Sequence, residues 1–229
     1  MSSNFHEDGT LFIVSGPSGA GKTTLINRVV AELQPLGLSL YFSVSHTTRS
    51  RRPGEAEGKN YYYVSEPEFR SMVARGEFLE HAYVHAHLYG TSRLEVLTKL
   101  DKGKDVILDI DYQGAKQIAE DPELEPRSLS VFIFPPSLDI LEQRLRDRGV
   151  NSEAEIDLRL RKAIHEISEG KDFYKYVIIN DHLDVAVECL KAAIIAKKLQ
   201  TKTALEAIAT MAERLKEEER NGRITRGGG

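Results

Sequence analysis

A glycine-rich stretch near the start of the chain has the residue types of a phosphate-binding loop. Its residues are Gly16, Pro17, Ser18, Gly19, Ala20, Gly21, Lys22, Thr23 and Thr24. Glycines let backbone N–H groups point at phosphate oxygens, and the start of a helix favours negative charge. At this spacing Lys22 supplies a point charge for β- and γ-phosphates, while Thr23 offers a hydroxyl to Mg²⁺. The stretch predicts a site for the phosphates of ATP or a similar triphosphate.

The sequence on either side favours this interpretation over an ordinary glycine-rich turn. The apolar run Leu11–Val14 precedes the loop, and a helical pattern from Thr24 to Leu33 follows it. A strand, a turn and a helix start in that order are the context that the motif requires. We therefore expect the loop to bind phosphate.

A second segment, residues 47–64, combines three arginines with hydroxyl residues and tyrosines. Guanidinium groups bind phosphate through two N–H groups at once, and phenol hydroxyls can donate to the remaining oxygens. The segment therefore predicts a second phosphate clamp. A solvated basic loop or a nucleic-acid patch is the alternative. The net charge of −4 gives no general attraction to nucleic acid or to an anionic membrane, and we expect neither as a partner.

Three carboxylates stand next to apolar strand patterns. Glu80 follows Phe78-Leu79, and Asp109 and Asp111 lie at the end of the run Val106–Ile110. Because strand side chains alternate, the two aspartates should project on one face. Asp109 could then reach a Mg²⁺ ion, although both aspartates could instead cap the following helix.

Apolar runs of strand length alternate with helical patterns along the chain. The predicted strands are Leu11–Ser15, Leu40–Val44, Val106–Ile110, Ser130–Phe134 and Tyr176–Ile179. The predicted helices are Thr23–Leu33, Glu66–Arg75, Ser92–Lys102, Tyr112–Glu120, Leu138–Asp147, Glu153–Glu169 and one from Leu183 onward. This order predicts an α/β fold, with an open parallel sheet and helices on both faces. Two segments interrupt this alternation, one from Ser45 to about Leu100 and one from Arg144 to Arg161. Both should be insertions at the carboxyl ends of strands, where such sheets place ligands.

Length and composition indicate the number of domains and the cellular compartment of the protein. The chain has 229 residues, which suits one α/β domain with small inserted subdomains. Its only cysteine, Cys189, lies within a helical pattern and should be a small core residue in a reducing compartment. The first nine residues contain no apolar run that would act as a secretory signal, so we expect a cytoplasmic protein.

At the level of its motifs the chain resembles bacterial guanylate kinases, which are P-loop nucleoside monophosphate kinases. The resemblance covers about residues 9–200. It rests on the segments Gly16–Thr23, Ser43–Val64, Gly76–Ala82, Tyr89–Arg93, Leu108–Ala115, Arg144–Gly149 and Asn180–Asp181. The string Thr47–Val64 is the most specific to this family, whereas many families share the phosphate loop. Two segments depart from the family pattern. Ala86 and Leu88 stand where glycine and an aromatic residue are common, and Lys175 stands where an acidic residue is common.

The resemblance implies transfer of the γ-phosphoryl group of ATP to GMP, and to dGMP, in purine nucleotide metabolism and GMP recycling. It implies that Gly16 to Thr24 hold ATP with Mg²⁺, that Thr23 and Asp109 lie at the metal, and that Asn180 lies near the adenine. It implies GMP binding by Ser45, Arg49, Arg52, Tyr61, Glu80, Tyr89, Thr91 and Asp111. The catalytic residues it implies are Lys22, Arg49, Arg148 and Arg159, and Arg144 joins Arg148 and Arg159 in a lid over ATP.

Guanine chemistry agrees with these roles. The base presents N1–H and N2–H₂ as donors and O6 as an acceptor. A carboxylate such as Glu80 can accept from N1 and N2, and a hydroxyl of Ser45 or Thr91 can donate to O6. Two alternatives are a non-catalytic guanylate-kinase-like binding module, which would lack the loop lysine, and a kinase for a different acceptor.

The chain should therefore consist of a guanylate-kinase-like domain over residues 9–202 and a helical extension over residues 203–229. Within the domain, residues 45–100 should bind GMP and residues 144–161 should form the lid. In the extension, Leu205, Ile208, Met211 or Ala212, and Leu215 share one helical face. This face should pack on its own domain, with a homo-oligomer contact as the alternative.

Overall fold

Strands and helices alternate through most of the structure, as the sequence pattern predicted. The computed structural model describes residues 9–84, 86–147, 152–170, 173–199, 211–214, 216–218, 220 and 221. In chain order the strands are β1 (Leu11–Ser15), β2 (Leu40–Phe42), β3 (His46–Thr47), β4 (Tyr62–Tyr63), β5 (Phe78–Val84), β6 (His87–Ser92), β7 (Asp105–Asp109), β8 (Ser128–Phe134) and β9 (Tyr176–Ile179).

The helices lie close to their predicted positions. They are α1 (Lys22–Leu33), α2 (Glu66–Ala74), α3 (Arg93–Leu100), α4 (Tyr112–Ala119), α5 (Leu138–Asp147), α6 (Glu153–Gly170) and α7 (Leu183–Lys198). The hydroxyl of Ser65 accepts from the backbone N–H of Glu68 at 3.3 Å and so caps α2. The differences from the predicted bounds are confined to the ends of the helices, where hydrogen bonding is weakest.

A parallel sheet in the order β2-β7-β1-β8-β9 forms the core. All the residues of β1, its central strand, are buried, and its side chains alternate between two apolar clusters. Phe12 and Val14 pack in the cluster formed with α1 and α7, whereas Leu11 and Ile13 pack against α3 and α4. Helices on both faces of a parallel sheet confirm the predicted α/β fold.

A smaller sheet in the order β4-β3-β6-β5 is built from the chain between β2 and β7. β5 and β6 form an antiparallel hairpin, and the short β3 pairs with β6 and β4. β2 and β7 are neighbours in the larger sheet, where Leu40 pairs with Asp105 and Phe42 with Ile107. The chain thus leaves the larger sheet and returns to it beside the point of departure. This departure also explains why β2 ends at Phe42 and not at Val44 as predicted.

The prediction that Cys189 is a core residue was wrong, because its side chain is exposed. The residues of α7 that face the core include Ala186, Val187, Leu190 and Ile194. Cys189 lies two residues after Val187, which turns it about 200° away around the helix. A helical pattern locates a helix better than it locates the edge of its buried face.

The C-terminal segment is only partly described. Met211 and Ala212 are helical, and both are exposed, so the predicted packing on the domain does not occur at these two positions. Leu205, Ile208 and Leu215 lie outside the described residues. Within the described part of the chain, no helix is both long and apolar enough to cross a membrane.

Candidate active site

The phosphate-loop residues connect the end of β1 to the start of α1, as predicted. Gly16 has a φ of 141°, and a Cβ atom there would lie 2.2 Å from the backbone oxygen of Ile133. Gly21 precedes α1 with a φ of 89°, a left-handed conformation that glycine adopts without strain. Both positions need glycine, because the loop turns sharply against β8 before the helix begins.

Lys22 and Thr23 both point toward Asp109 at the end of β7. The Lys22 ammonium donates to the backbone oxygen of Gly16 at 2.7 Å and lies 3.8 Å from an Asp109 oxygen. The Thr23 hydroxyl donates to the other oxygen of Asp109 at 2.6 Å. The geometry brings together one ammonium, one hydroxyl and one carboxylate at the mouth of the loop.

The side chains of Arg159 and Asn180 contact the loop from two other elements. The Arg159 guanidinium, on α6, donates to the Ser18 hydroxyl at 2.7 Å. The buried Asn180 amide, just after β9, donates to the backbone oxygen of Ala20 at 2.7 Å. In this structure Asn180 thus supports the loop from beneath.

Two further arginines were predicted for the lid. The Arg144 guanidinium donates to the backbone oxygen of Asn180 at 2.9 Å, which ties α5 to the strand end below the loop. Arg148 lies outside the described residues. The described chain resumes before α6, which carries Arg159.

The predicted phosphate clamp is organised around a carboxylate that sequence reasoning missed. Glu55 accepts from the Arg49 guanidinium at 2.7 Å, from the Arg52 backbone N–H at 2.8 Å and from the Tyr63 hydroxyl at 2.8 Å. Its hydrogen bond from Arg49 is the main reason that its pKa falls to about 2. The carboxylate therefore stays ionised and holds the clamp residues in place.

Arg49 is nearly buried, and its guanidinium lies 5.3 Å from the centre of the Tyr61 ring. Tyr61 in turn meets the ring of Tyr89 edge-on, with 5.7 Å between centroids. The side chain of Arg52 is exposed at the edge of the cleft. One guanidinium is thus fixed by packing, whereas the other is exposed to solvent.

Glu80 lies at the inner end of the cleft and is buried. It accepts from the Thr91 hydroxyl at 2.5 Å, and the Ser45 hydroxyl lies 3.5 Å from that of Thr91. Burial is the main cause that raises the pKa of Glu80 to about 7, although the Thr91 hydrogen bond opposes the shift. α4 leaves room for this carboxylate, since a Cβ atom on Gly114 would lie 2.2 Å from it.

Asp111 both caps α4 and lines the cleft. Its carboxylate caps α4 by accepting from the backbone N–H of Gly114 at 3.1 Å and also accepts from the Gln113 side chain at 2.9 Å. The capping alternative is therefore observed for Asp111. Its side chain nevertheless lines the cleft, as does that of Asp109.

One cleft joins the two groups of predicted residues. Its lining contains Gly16, Ser18, Gly19, Gly21, Lys22, Thr23, Thr24, Ser45, Arg52, Tyr61, Glu80, Tyr89, Asp109 and Asp111. Arg49 and Thr91 lie behind this lining, where they contact Tyr61 and Glu80. Glu166 on α6 also lines the cleft and was not predicted, because nothing in its local sequence separates it from the exposed glutamates of that helix.

The comparisons with known proteins agree with the geometry. The guanylate kinase family model matches residues 8–197. A guanylate kinase of Pseudomonas fluorescens is 47% identical over 197 residues, covering 86% of this chain and 92% of its own. One from Vibrio vulnificus is 48% identical over 192 residues, covering 84% and 90%. The crystal structure of guanylate kinase from Anaplasma phagocytophilum superimposes with a TM-score of 0.67 at 33% identity, covering 84% of this chain and 88% of that one.

Proposed function

Because this chain belongs to the guanylate kinase family and is an ATP:GMP phosphotransferase, we propose that the cleft transfers the γ-phosphoryl group directly from ATP to GMP. The observation that carries this proposal is the shared cleft, which has the phosphate loop on one side and the clamp with Glu80 on the other. Two phosphate sites facing each other allow in-line transfer with no phosphorylated enzyme intermediate. Such transfer needs positioning and charge stabilisation more than covalent help.

On the donor side, the loop from Gly16 to Thr24 holds the triphosphate. Lys22 is in the loop, and Arg159 already reaches the loop through Ser18. Together with Arg148 these cations balance the charge on the phosphoryl group in transit. Arg144 and Asn180 serve ATP binding by anchoring α5 and the loop.

The residues at the mouth of the loop fit Mg²⁺. Thr23 and Asp109 offer a hydroxyl and a carboxylate 2.6 Å apart, and Mg²⁺ prefers oxygen ligands from one or two side chains together with phosphates. Thr23 and Asp109 would hold the ion, which would supply positive charge to offset that of the phosphates. Among the described residues, no group of three or more His, Cys, Asp or Glu side chains forms a separate metal site.

On the acceptor side, Arg49, Arg52, Tyr61 and Tyr89 hold the GMP phosphate. The ionised Glu80 accepts from N1–H and N2–H₂ of guanine, with Asp111 beside the N2 group. Because the Thr91 hydroxyl already donates to Glu80, the Ser45 hydroxyl is the one available to O6. The hydrogen bond from Thr91 also fixes the orientation of the carboxylate that reads the base.

We further propose the chain organisation predicted from sequence. The catalytic domain spans residues 9–202, with GMP bound by residues 45–100 and a lid at residues 144–161. Residues 203–229 form an extension that is accessory to catalysis and could serve a homo-oligomer contact. A cytoplasmic location, with neither nucleic acid nor membrane as a partner, remains part of this proposal.

The test is an ATP-dependent kinase assay with GMP, dGMP, IMP, AMP, CMP and UMP. GMP and dGMP should be good substrates, since no residue assigned here reads the 2′-hydroxyl. IMP lacks the N2 amino group and should be poorer, and AMP should be poorest because its pairing edge mismatches a carboxylate. Equal use of GMP and AMP would contradict the guanine site, and no transfer at all would favour a binding module.

A further inference from the structure

Glu166 lies on the same face of α6 as Arg159. It follows Arg159 by seven residues, which is close to two full helical turns. Arg159 contacts the phosphate loop through Ser18, and Glu166 lines the same cleft as the loop residues Gly16 and Lys22. One helix therefore presents both a guanidinium and a carboxylate to the loop.

One carboxylate oxygen of Glu166 has no hydrogen-bond donor within the part of the chain that the structure describes. Its Oε2 atom is buried and accepts no hydrogen bond from any residue in the described ranges. Glu166 also lines a second, apolar pocket together with Phe132, Phe134 and Ile179. A buried carboxylate oxygen without a donor costs free energy, and burial raises the pKa of Glu166 to about 7. A hydrogen-bond donor could therefore reach the Glu166 carboxylate from the cleft that this side chain lines.

Lys22 is the cation that can become that partner. Among the charged groups, Lys22 opposes the pKa rise of Glu166 most strongly, ahead of Lys162 on the same helix, whereas Asp111 adds to the rise. In this structure the ammonium of Lys22 donates to the backbone oxygen of Gly16. It must leave this oxygen to reach the phosphates, and its three N–H donors allow it to bind phosphate and a carboxylate together.

We propose that Glu166 is a positioning residue for phosphoryl transfer, whose carboxylate accepts a hydrogen bond from the Lys22 ammonium when α6 carries Arg159 over the triphosphate. The inference rests on the phosphate-binding role proposed for Lys22. Protein kinases also use a helix-borne glutamate to orient a phosphate-binding lysine. In this chain the contact would make correct placement of Lys22 depend on closure of α6.

The first test compares Glu166→Gln with Glu169→Gln, an exposed glutamate one turn further along α6. Glu166→Gln should lower kcat about 10-fold or more and leave KM for GMP within about 2-fold, because the contact is complete only on closure. Glu169→Gln should match the wild type. A purely structural role would instead lower the melting temperature with kcat retained, and that result would overturn the proposal.

The second test measures binding, so that its readout is independent of turnover. In calorimetry with GMP present, a non-hydrolysable ATP analogue should bind Glu166→Gln about 3- to 10-fold more weakly than it binds the wild type. In a Lys22→Met background the same change should have no effect, because Glu166 acts through Lys22. An equal loss in both backgrounds would overturn the proposal.

Glu166→Asp covers the case in which the glutamine variant does not fold. It keeps the charge with a shorter reach and should fall between the wild type and Glu166→Gln in kcat. A folded Glu166→Asp with the kcat of the wild type would contradict the inference. Failure of the wild type to phosphorylate GMP would instead contradict the proposed function, so the two failures are distinguishable.

Discussion

The carboxylate of Glu55 and the guanidinium of Arg49 are joined at 2.7 Å within the loop for which we propose GMP binding. The same carboxylate holds the Arg52 backbone and the Tyr63 hydroxyl, so one acidic side chain organises a basic site. A positive cluster that must stay ordered without its ligand needs such an internal counter-charge. The free clamp is therefore already close to the arrangement that a phosphate requires.

Glu55→Gln should raise KM for GMP about 10-fold, since hydrogen bonds to charged groups contribute about 1.5–3 kcal/mol and several are weakened together. The change in kcat at saturating GMP should be smaller. Steady-state kinetics would measure both constants. Glu68→Gln, at an exposed position in the first turn of α2, is the matched control and should leave KM unchanged.

Lys22→Met should lower kcat by about 10³-fold or more and leave GMP affinity nearly unchanged. The reason is that the ammonium lies at the phosphate loop, on the donor side of the cleft. Turnover measurements and GMP calorimetry together check the two halves of this prediction. A variant that lost GMP binding and kept its turnover would show that Lys22 serves the acceptor.

Glu80→Gln should raise KM for GMP about 10- to 100-fold, because an amide donor would face the donors of guanine. The pKa of Glu80, about 7, adds a pH dependence. Guanine needs the ionised acceptor, so GMP should bind the wild type more tightly as pH rises through about 7. The phosphate of GMP titrates nearby at about 6. Calorimetry should therefore compare the wild type with Glu80→Gln, in which only the phosphate of GMP would still change its charge in this pH range.

The same pKa affects stability in the opposite direction. The folded state holds a proton on Glu80 that the unfolded state releases above about its ordinary pKa of 4.5. The contribution of Glu80 to the free energy of unfolding should therefore fall as pH rises from 4.5 through about 7. Urea unfolding of the ligand-free wild type and of Glu80→Gln across this range would measure the difference. If the wild type instead became more stable relative to Glu80→Gln as pH rose, the predicted direction would be wrong.

Ala86→Gly should stabilise the protein by up to about 1 kcal/mol. Ala86 lies in the turn between β5 and β6 with a φ of 66°, a left-handed conformation that costs less for glycine. Thermal or urea unfolding would measure the gain. Ala74→Gly, at the exposed end of α2, should instead destabilise by up to about 1 kcal/mol, because glycine is a poor helix former.

Deletion of residues 203–229 should leave specific activity within a few-fold, because the assigned site residues all precede them. Light scattering of the truncated and full-length chains would show whether the extension joins copies of the protein. A folded but inactive truncation would contradict the accessory role.

Local and non-local features differed in how far the sequence could predict them. The phosphate loop was predictable because its glycines, Lys22 and Thr23 are contiguous and their spacing follows from one turn. The GMP-binding roles of the clamp and of Glu80 were predicted through the resemblance, with the tyrosines and the apolar neighbours as support, and they stay predictions. The parallel sheet followed from the alternation of short apolar runs with helical patterns.

Residues whose importance depends on distant partners were missed. Glu55 looked like one of two acidic residues in a basic loop until folding brought Arg49 and Tyr63 onto it. Glu166 lines the cleft only because α6 packs against the phosphate loop in the folded chain. Cys189 was misplaced for a related reason, since the buried face of α7 is set by the sheet beneath it and not by the helix alone.

Because β2 pairs with β7, the segment for which we propose acceptor binding is a structural insertion that could be exchanged as a unit. The chain that carries β3 to β6 leaves and re-enters through adjacent strands, at Phe42 and Asp105. The ends of such a segment stay close together whatever lies between them. Exchange of this segment for one shaped to another nucleobase would leave the glycine-rich loop and the central strands untouched. Recombination could thus diversify the monophosphate that is phosphorylated while retaining one donor site.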